Sequence, residues 1–434
     1  MKRMKHPLYA GIGRIVITPP TGTDLAGYGY RDHGAEETLD DLEVRILWLE
    51  TDAGSQDALC FVSADIIGFG DRLTADLRSI VRQRTGIAPE RVLLAASHTH
   101  SGPQTVENMV GCGRLDEAVY RYILDLTAAA MEMASRHVAP VSLHTVRGKL
   151  EGYAINRRVV RNGQVLFMPN PEGVRDDEVI AVVCRDAATG QPRAVLFNFA
   201  CHPTIMGDYR ISGDYPGAAR RRIETALGEN AVALFLPGCF GDIRPNCVYT
   251  GGTRFRRGEA EDVAVFGNAL GDEVVRLTRL DGTALVPRFF AAAETLSLRI
   301  QHHPERAELE HILREGPDHR KAWASFLLER PFSQTRTLSL QRVDLSDDTR
   351  LIVMGGEICC DYGHFVKRLD PSICMIPVGY ANGMTGYIPT ARMIKEGGYE
   401  PDTSCPFFGL PAPFEPEVEE ILHKAIRTIC RDHM

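Results

Sequence analysis

Four short, almost uninterrupted apolar runs, each breaking into a loop with histidine, aspartate or glutamate, constrain this chain more than any other feature. Val92-Leu93-Leu94-Ala95-Ala96 stops at Ser97-His98-Thr99-His100-Ser101-Gly102-Pro103, and Ala194-Val195-Leu196-Phe197-Asn198-Phe199-Ala200 stops at Cys201-His202-Pro203. Ala231-Val232-Ala233-Leu234-Phe235-Leu236 enters Pro237-Gly238-Cys239-Phe240-Gly241-Asp242-Ile243-Arg244-Pro245-Asn246, and Leu351-Ile352-Val353-Met354 delivers Gly355-Gly356-Glu357. Such runs are what strands buried on both faces look like, since neither side of the pleat meets water. In α/β proteins the loops leaving the carboxyl ends of such strands gather along one rim, where ligands bind.

Two histidines and a carboxylate reaching that rim supply the three protein ligands of an open, catalytic zinc site. The neighbouring glycines let backbone approach an ion closely. In an extended chain side chains alternate faces, so the spacing predicts His98 and His100 on one side. One could then bind a metal while the other donates to whatever the metal holds. An isolated His-x-His also reads as two polar residues closing a strand; the repetition at His202 and Glu357 is what favours a site.

Between the apolar runs, residues 74–85, 116–136, 217–227, 258–277 and 417–431 recur in apolar character at three- and four-residue spacing, which predicts helices. Together these signals predict an α/β fold with a mixed, largely buried β-sheet core flanked by helices. A chain of 434 residues with 44% hydrophobic content can bury a large core, as one big domain over 1–434 or two intimate ones. The polar stretch at about 302–340 predicts a helical surface excursion, with His302, His303, His311 and His319 solvated. Pro406-Phe407-Phe408-Gly409-Leu410-Pro411-Ala412-Pro413-Phe414 reads equally as a pocket wall or as a loop packed on the core. Asp65, after Leu59-Cys60-Phe61-Val62-Ser63-Ala64, reads either as a rim residue or as a strand-end carboxylate accepting backbone hydrogen bonds.

The formal charge of -8, without a basic stripe, argues against a nucleic-acid partner. No stretch approaches the roughly 20 apolar residues of a membrane span, so stable membrane insertion is not expected. Met1-Lys2-Arg3-Met4-Lys5-His6-Pro7-Leu8-Tyr9-Ala10 is basic without the apolar core and cleavage site of a secretion signal. Eleven cysteines, an odd number without a Cys-x-x-Cys pair, point to a reducing cytoplasm. Cys201 and Cys239 read as packing thiols rather than nucleophiles.

The same blocks carry a resemblance. The chain resembles the catalytic domain of the neutral/alkaline (non-lysosomal) ceramidases, zinc-dependent amide hydrolases. The resemblance runs through Gly11-Ile12-Gly13-Arg14-Ile15-Val16-Ile17-Thr18-Pro19-Pro20, Leu25-Ala26-Gly27-Tyr28, the His98 block, Ile155-Asn156-Arg157 and His202-Pro203-Thr204. It continues in Ser212-Gly213-Asp214, Gly241-Asp242-Ile243-Arg244-Pro245-Asn246, Gly356-Glu357 and Gly386-Tyr387-Ile388-Pro389-Thr390. By position it implies zinc held by His98, His202, Glu357 and Tyr387. It also implies His100 beside the ion, orienting a water or protonating a leaving amine, and Arg157 as a donor to the substrate carbonyl.

Two departures from that family shape the expected substrate. The chain ends soon after the last block, so no C-terminal immunoglobulin-like domain is expected. The family's Gly-Asp-Val-Ser-Pro-Asn places a serine at the active site where this chain has Arg244. A guanidinium facing the pocket suits a carboxylate or phosphate on the substrate; turned away, it would pair with Asp242 or Asp214. The implied reaction is attack by a zinc-activated water on an amide, N-acyl among the candidates, of a soluble, anionic small molecule. A zinc esterase or lactonase, a non-catalytic metal-stabilised binding protein, and a serine hydrolase built on Ser212 are the rival readings. Homo-oligomerisation stays open.

Overall fold

The computed structural model describes residues 8–51, 57–228, 230–331 and 333–431; most of the basic amino-terminal stretch lies outside these. Among the described residues a nine-stranded sheet runs Val232–Pro237, Pro192–Phe199, Glu178–Asp186, Val138–Lys149, Leu8–Val16, Glu43–Glu50, Ala58–Ala64, Val92–Ala96, with Thr283–Ala284 added beside Val138–Lys149. Its pairings are antiparallel except at the two ends, where Pro192–Phe199 runs parallel to Val232–Pro237 and Ala58–Ala64 parallel to Val92–Ala96. Glu43–Glu50, Ala58–Ala64, Val92–Ala96 and Val232–Pro237 are buried throughout, the last three through nearly continuous apolar character and the first with Arg45 buried against Glu43 and Glu224.

A second sheet, in the order Phe290–Arg299, Thr335–Ser346, Thr349–Met354, Cys374–Val378, packs against the first. Leu47, Phe61 and Leu93 share one core cluster with Val343, Leu351 and Ile376. Burying each such side chain contributes about 1.5–3 kcal/mol relative to leaving it in water. Helices Asp71–Thr85 and Glu117–Arg136 cover one outer region through Leu73, Leu77, Val119 and Ile123. Asp214–Leu227 and Ala260–Thr278 cover another through Tyr215, Ile223, Phe266 and Leu270. The expected α/β class, a mixed buried sheet flanked by helices, is therefore the observed one.

The expected helices form, with shifted ends that have local causes. Asp116 caps Glu117–Arg136 by accepting from the Ala118 and Val119 amides. Asp214–Leu227 starts ahead of 217 because its first turn contains Pro216, a place where proline costs no intrahelical hydrogen bond. Within 302–340, Arg306–Glu315 and Asp318–Leu328 are helices, but the strand Thr335–Ser346 begins well before 340. Its first residues alternate exposed with buried, so half of them are polar and disguise the strand. His302 and His311 are exposed and His319 stacks on Phe407, all apart from the other histidines discussed below.

One segment gathers the site-bearing strand ends. Tyr380 donates its amide to the Gly356 carbonyl at 3.0 Å and its carbonyl accepts from Ala96 at 3.2 Å. Asn382 bonds Leu94 through both its amide and its Oδ1, each at 2.9 Å. Asn198 donates to the Leu236 and Pro377 carbonyls. A short parallel pair, Glu357–Ile358 with Tyr387–Ile388, sets Glu357 directly opposite Tyr387. No helix among the described residues is long and apolar enough to cross a membrane.

Candidate metal centre

The strand Val92–Ala96 ends before His98, and His98 itself takes φ 66°. The extended geometry expected for the His98-Thr99-His100 spacing is thus replaced by a tight turn. A non-glycine residue in this left-handed region costs about 1–3 kcal/mol and persists where its surroundings over-determine it. Here the His98 amide donates to the Ile66 carbonyl and its ring Nδ1 donates to the Ile67 carbonyl at 2.6 Å. A carbonyl can only accept, so the proton sits on Nδ1 and Nε2 presents a lone pair. His202 is held the same way, Nδ1 donating to the Phe240 carbonyl at 2.8 Å and lying 3.2 Å from that of Ile243.

Both Nε2 lone pairs converge on Glu357. Its carboxylate lies 3.4 Å from His98 Nε2 and 3.1 Å from His202 Nε2, and all three side chains are buried. His100 joins them, its Nε2 lying 3.3 Å from that of His98. The ligand atoms of His98, His100 and His202 all lie within 4.8 Å of one another. His202 Nε2 and Glu357 Oε2 make no hydrogen bond despite their approach, because in these tautomers each is an acceptor. Acceptors facing one another without a donor in a dry site are costly, and a cation removes the cost. On that ground the residues fit a metal ion.

Electrostatics prepares the same state. Burial pushes the His202 imidazole down to about 4 and the His100 imidazole well below its ordinary range, keeping both neutral and able to ligate or accept a proton. Gly27, at φ +92°, makes room for His100: a Cβ there would sit 2.4 Å from His100 Nδ1, so neither the backbone nor the space admits a side chain.

Arg157 and Tyr387 stand around this cluster. The Arg157 guanidinium lies 5.4 Å from the Tyr387 ring centre and 5.2 Å from that of Tyr399. Its Nε donates to Glu400 at 2.8 Å, while its buried Nη2 has no partner. Glu400 also takes Arg158, which Glu396 pairs as well at 3.2 Å, so two carboxylates answer the two buried guanidiniums. These cations overcome burial and hold the Glu400 carboxyl below its ordinary range. Because the folded value is depressed, the pair stabilises the protein above the unfolded carboxylate range, and this is lost as pH falls through the folded value. Glu400→Gln is expected to destabilise the protein by about 3–5 kcal/mol at neutral pH, the cost of breaking a buried pair. The gap to wild type should close on acidification. Urea unfolding at a series of pH values measures both, and a gap that widens toward low pH would contradict the pairing.

A cavity of about 480 Å³ opens over the cluster, lined by His100, His202, Arg157, Tyr387 and Arg244 together with Gly27, Tyr28, Phe167, Thr204 and Tyr399, among others. The structure therefore collects all seven sequence-nominated residues, with His98 and Glu357 immediately beneath. Phe167, Thr204, Tyr399 and Thr403 were not anticipated from sequence. Phe167 belongs to the hairpin Ala154–Arg161 with Gln164–Asn170, and only its pairing beside Arg157 could have found it. The loop at 406–414 contributes indirectly, Phe408 packing edge-on to Tyr387 at 5.6 Å.

Other nominated residues lie elsewhere. Asp65 pairs with Arg220 and accepts from the Glu43 amide, which corrects its reading as a rim residue. Ser212 donates to Asp40 at 2.7 Å and has no histidine base among the described residues, which counts against the serine-hydrolase reading. Cys201 and Cys239 are buried, and burial pushes both thiols up, away from the reactive thiolate. Arg244 is not paired with Asp214 or Asp242. Asp214 accepts the Ile205, Met206 and Tyr215 amides, and Asp242 accepts from Asn156 and Cys360.

Comparison with known proteins gives a consistent outcome. The family profile described as neutral/alkaline non-lysosomal ceramidase, N-terminal, matches residues 9–261. Neutral ceramidase A of Dictyostelium discoideum is 28% identical over 177 residues, 36% of this chain and 24% of the relative. Neutral ceramidase B of the same organism is 29% identical over 174 residues, with the same shares. The aligned region thus spans about a quarter of the length of these curated relatives. The crystal structure of neutral ceramidase from Pseudomonas aeruginosa superposes with a TM-score of 0.77 at 18% identity, covering 97% of this chain and 74% of that one. A structure described as ceramidase complexed with C2 superposes equally well at 16% identity; at these identities the likeness establishes the fold.

Proposed function

This chain belongs to the neutral/alkaline non-lysosomal ceramidase family, and from that premise we propose that it is a zinc-dependent hydrolase cleaving the carbon–nitrogen bond of an N-acyl amide in a small molecule. The observation that carries this reading is the buried convergence of His98 Nε2, His202 Nε2 and the Glu357 carboxylate, acceptors without a donor among them. In this reading His98, His202, Glu357 and Tyr387 hold the ion. Zinc bound there supplies a Lewis acid that brings the pKa of a water toward ~7 and polarises the scissile carbonyl.

The chain's own residues do the rest. His100, neutral through burial, accepts a proton at a ring nitrogen and returns it to the leaving amine. Arg157, held by Glu400, offers its unpartnered Nη2 to the carbonyl oxygen as negative charge develops on it. Fixing that donor in advance avoids reorganisation during the reaction. The aromatic wall of Phe167, Tyr387 and Tyr399 keeps that part of the pocket apolar, which strengthens both interactions.

The test is a panel of short N-acyl amides, their matched esters and ceramide, assayed before chelation, after chelation and after zinc is restored. Amide cleavage is expected to fall to background on chelation and return with zinc. Full activity in the chelated protein would defeat the metal reading, and cleavage confined to esters would replace the amidase with an esterase.

A further inference from the structure

We propose that Arg244 is the receptor for an anionic group, a carboxylate or phosphate monoester, carried by the substrate on the side of the pocket away from the scissile bond. This deepens the hydrolase reading of the same pocket and rests on it. The first observation is an unpaired charge. Arg244 is half-buried in the cavity wall, and among the described residues no carboxylate lies within ion-pair reach of it. Of its five N–H donors, one meets the Thr204 carbonyl at 3.5 Å, the outer limit of a hydrogen bond. A partly desolvated guanidinium is costly unless something pairs with it.

The second observation is that the side chain is built into place. Ile243 and Arg244 pair across to Asn156 and Ile155, and the Arg157 amide donates to the Asp242 carbonyl, so the two arginines enter the pocket from adjacent strands. The Ile243 carbonyl faces the His202 ring, and Thr204 is two residues beyond His202. Arg244 is thereby tied to the backbone that orients a candidate metal ligand. The Phe255 and Phe167 rings lie 4.8 and 5.6 Å from its guanidinium carbon. Aromatic faces hold a guanidinium without consuming its in-plane donors, which stay available for a two-pronged grip on an oxyanion.

Charge around the pocket points the same way. Phe167 also carries Arg157 at 5.1 Å, but Arg157 is paired with Glu400, whereas among the described residues no carboxylate pairs with Arg244. The buried, unpartnered Arg157 Nη2 adds a second donor to this wall. A neutral ligand would leave the surplus cation unanswered; an anion answers it with charge-assisted hydrogen bonds.

Three probes sharing one acyl amide separate the possibilities: N-benzoylglycine, N-benzoylglycinamide and the phosphate monoester of N-benzoylethanolamine. Calorimetric titration of the metal-free protein is expected to show the anionic probes binding about 100-fold more tightly than the carboxamide. In Arg244→Gln that ratio should fall to near one, and in Arg244→Lys, which keeps charge without the planar fork, it should be intermediate. With the zinc-loaded protein the same ratio should appear in KM more than in kcat. A larger advantage for the phosphate than for the carboxylate, lost in Arg244→Gln, also supports the receptor and names the anion. Should the glutamine variant fail to fold, the lysine variant decides: a wild-type ratio there overturns the proposal. Equal wild-type binding of charged and neutral probes also overturns it, even if both amides are cleaved and the hydrolase reading stands. Conversely, charge-selective binding without hydrolysis supports the receptor and counts against the hydrolase.

Discussion

Replacing His202 by Ala, and separately His98 by Ala, is expected to take bound zinc from one ion per chain to near zero and amide hydrolysis to background. Each histidine is locked by a carbonyl at Nδ1, so its only free function is the Nε2 lone pair directed at Glu357. A Lewis acid supplies several kcal/mol of transition-state stabilisation, which makes the loss ~10³-fold or more. The fold should survive, because either change removes one of several acceptors that face each other without a donor. Metal-free wild type should therefore unfold at a temperature no higher than the metal-free variants by more than the cost of one small cavity. Elemental analysis and thermal unfolding of the three proteins, with and without chelator, make the measurement. Full zinc in both variants would end the assignment.

His100→Ala is expected to lower turnover by ~10²–10⁴-fold, the contribution of a general acid–base group, while zinc content stays at that of wild type. The prediction is exacting because His100 Nε2 lies 3.3 Å from His98 Nε2, within the same group of potential ligand atoms. What separates the roles is support. His98 and His202 each donate Nδ1 to backbone, whereas His100 Nδ1 is buried without a partner beside Gly27. A ligand histidine almost always has its second nitrogen held, and His100 does not. Stoichiometric loss of zinc in His100→Ala would make it a ligand.

Much of this site is legible in the chain, for a reason visible at particular residues. A strand buried on both faces must be apolar along its whole length, so Val92–Ala96 and Val232–Pro237 announce themselves, and polar residues at their ends stand out by contrast. The pocket's aromatic wall has no such contrast. Phe167 is an exposed phenylalanine on a partly exposed hairpin, and Tyr399 lies in a turn whose neighbours give no periodic signal. Arg244 sits between these cases: its type was legible, but only the contacts of Asp214 and Asp242 reveal that both carboxylates are already taken.

The sequence by itself determined the class of fold, the positions of the strand ends and the choice of His98, His202 and Glu357 as candidate ligands, because side-chain chemistry and burial periodicity are local properties. Their convergence was decided by tertiary structure. Glu357 follows His98 by more than two hundred residues, and it reaches the histidines only because the segment from Pro377 to Asn382 bonds to strand ends of both sheets. The turn at His98 was likewise beyond local inference: φ 66° is unfavourable for histidine in isolation and is held by bonds to Ile66 and Ile67 on a neighbouring strand end. Tyr387 becomes a candidate ligand through its register with Glu357, a pairing between short strands that neither segment specifies alone. Chemistry is written residue by residue, but a metal site exists only where long-range hydrogen bonds bring distant lone pairs within a few ångströms, and those bonds belong to the folded chain.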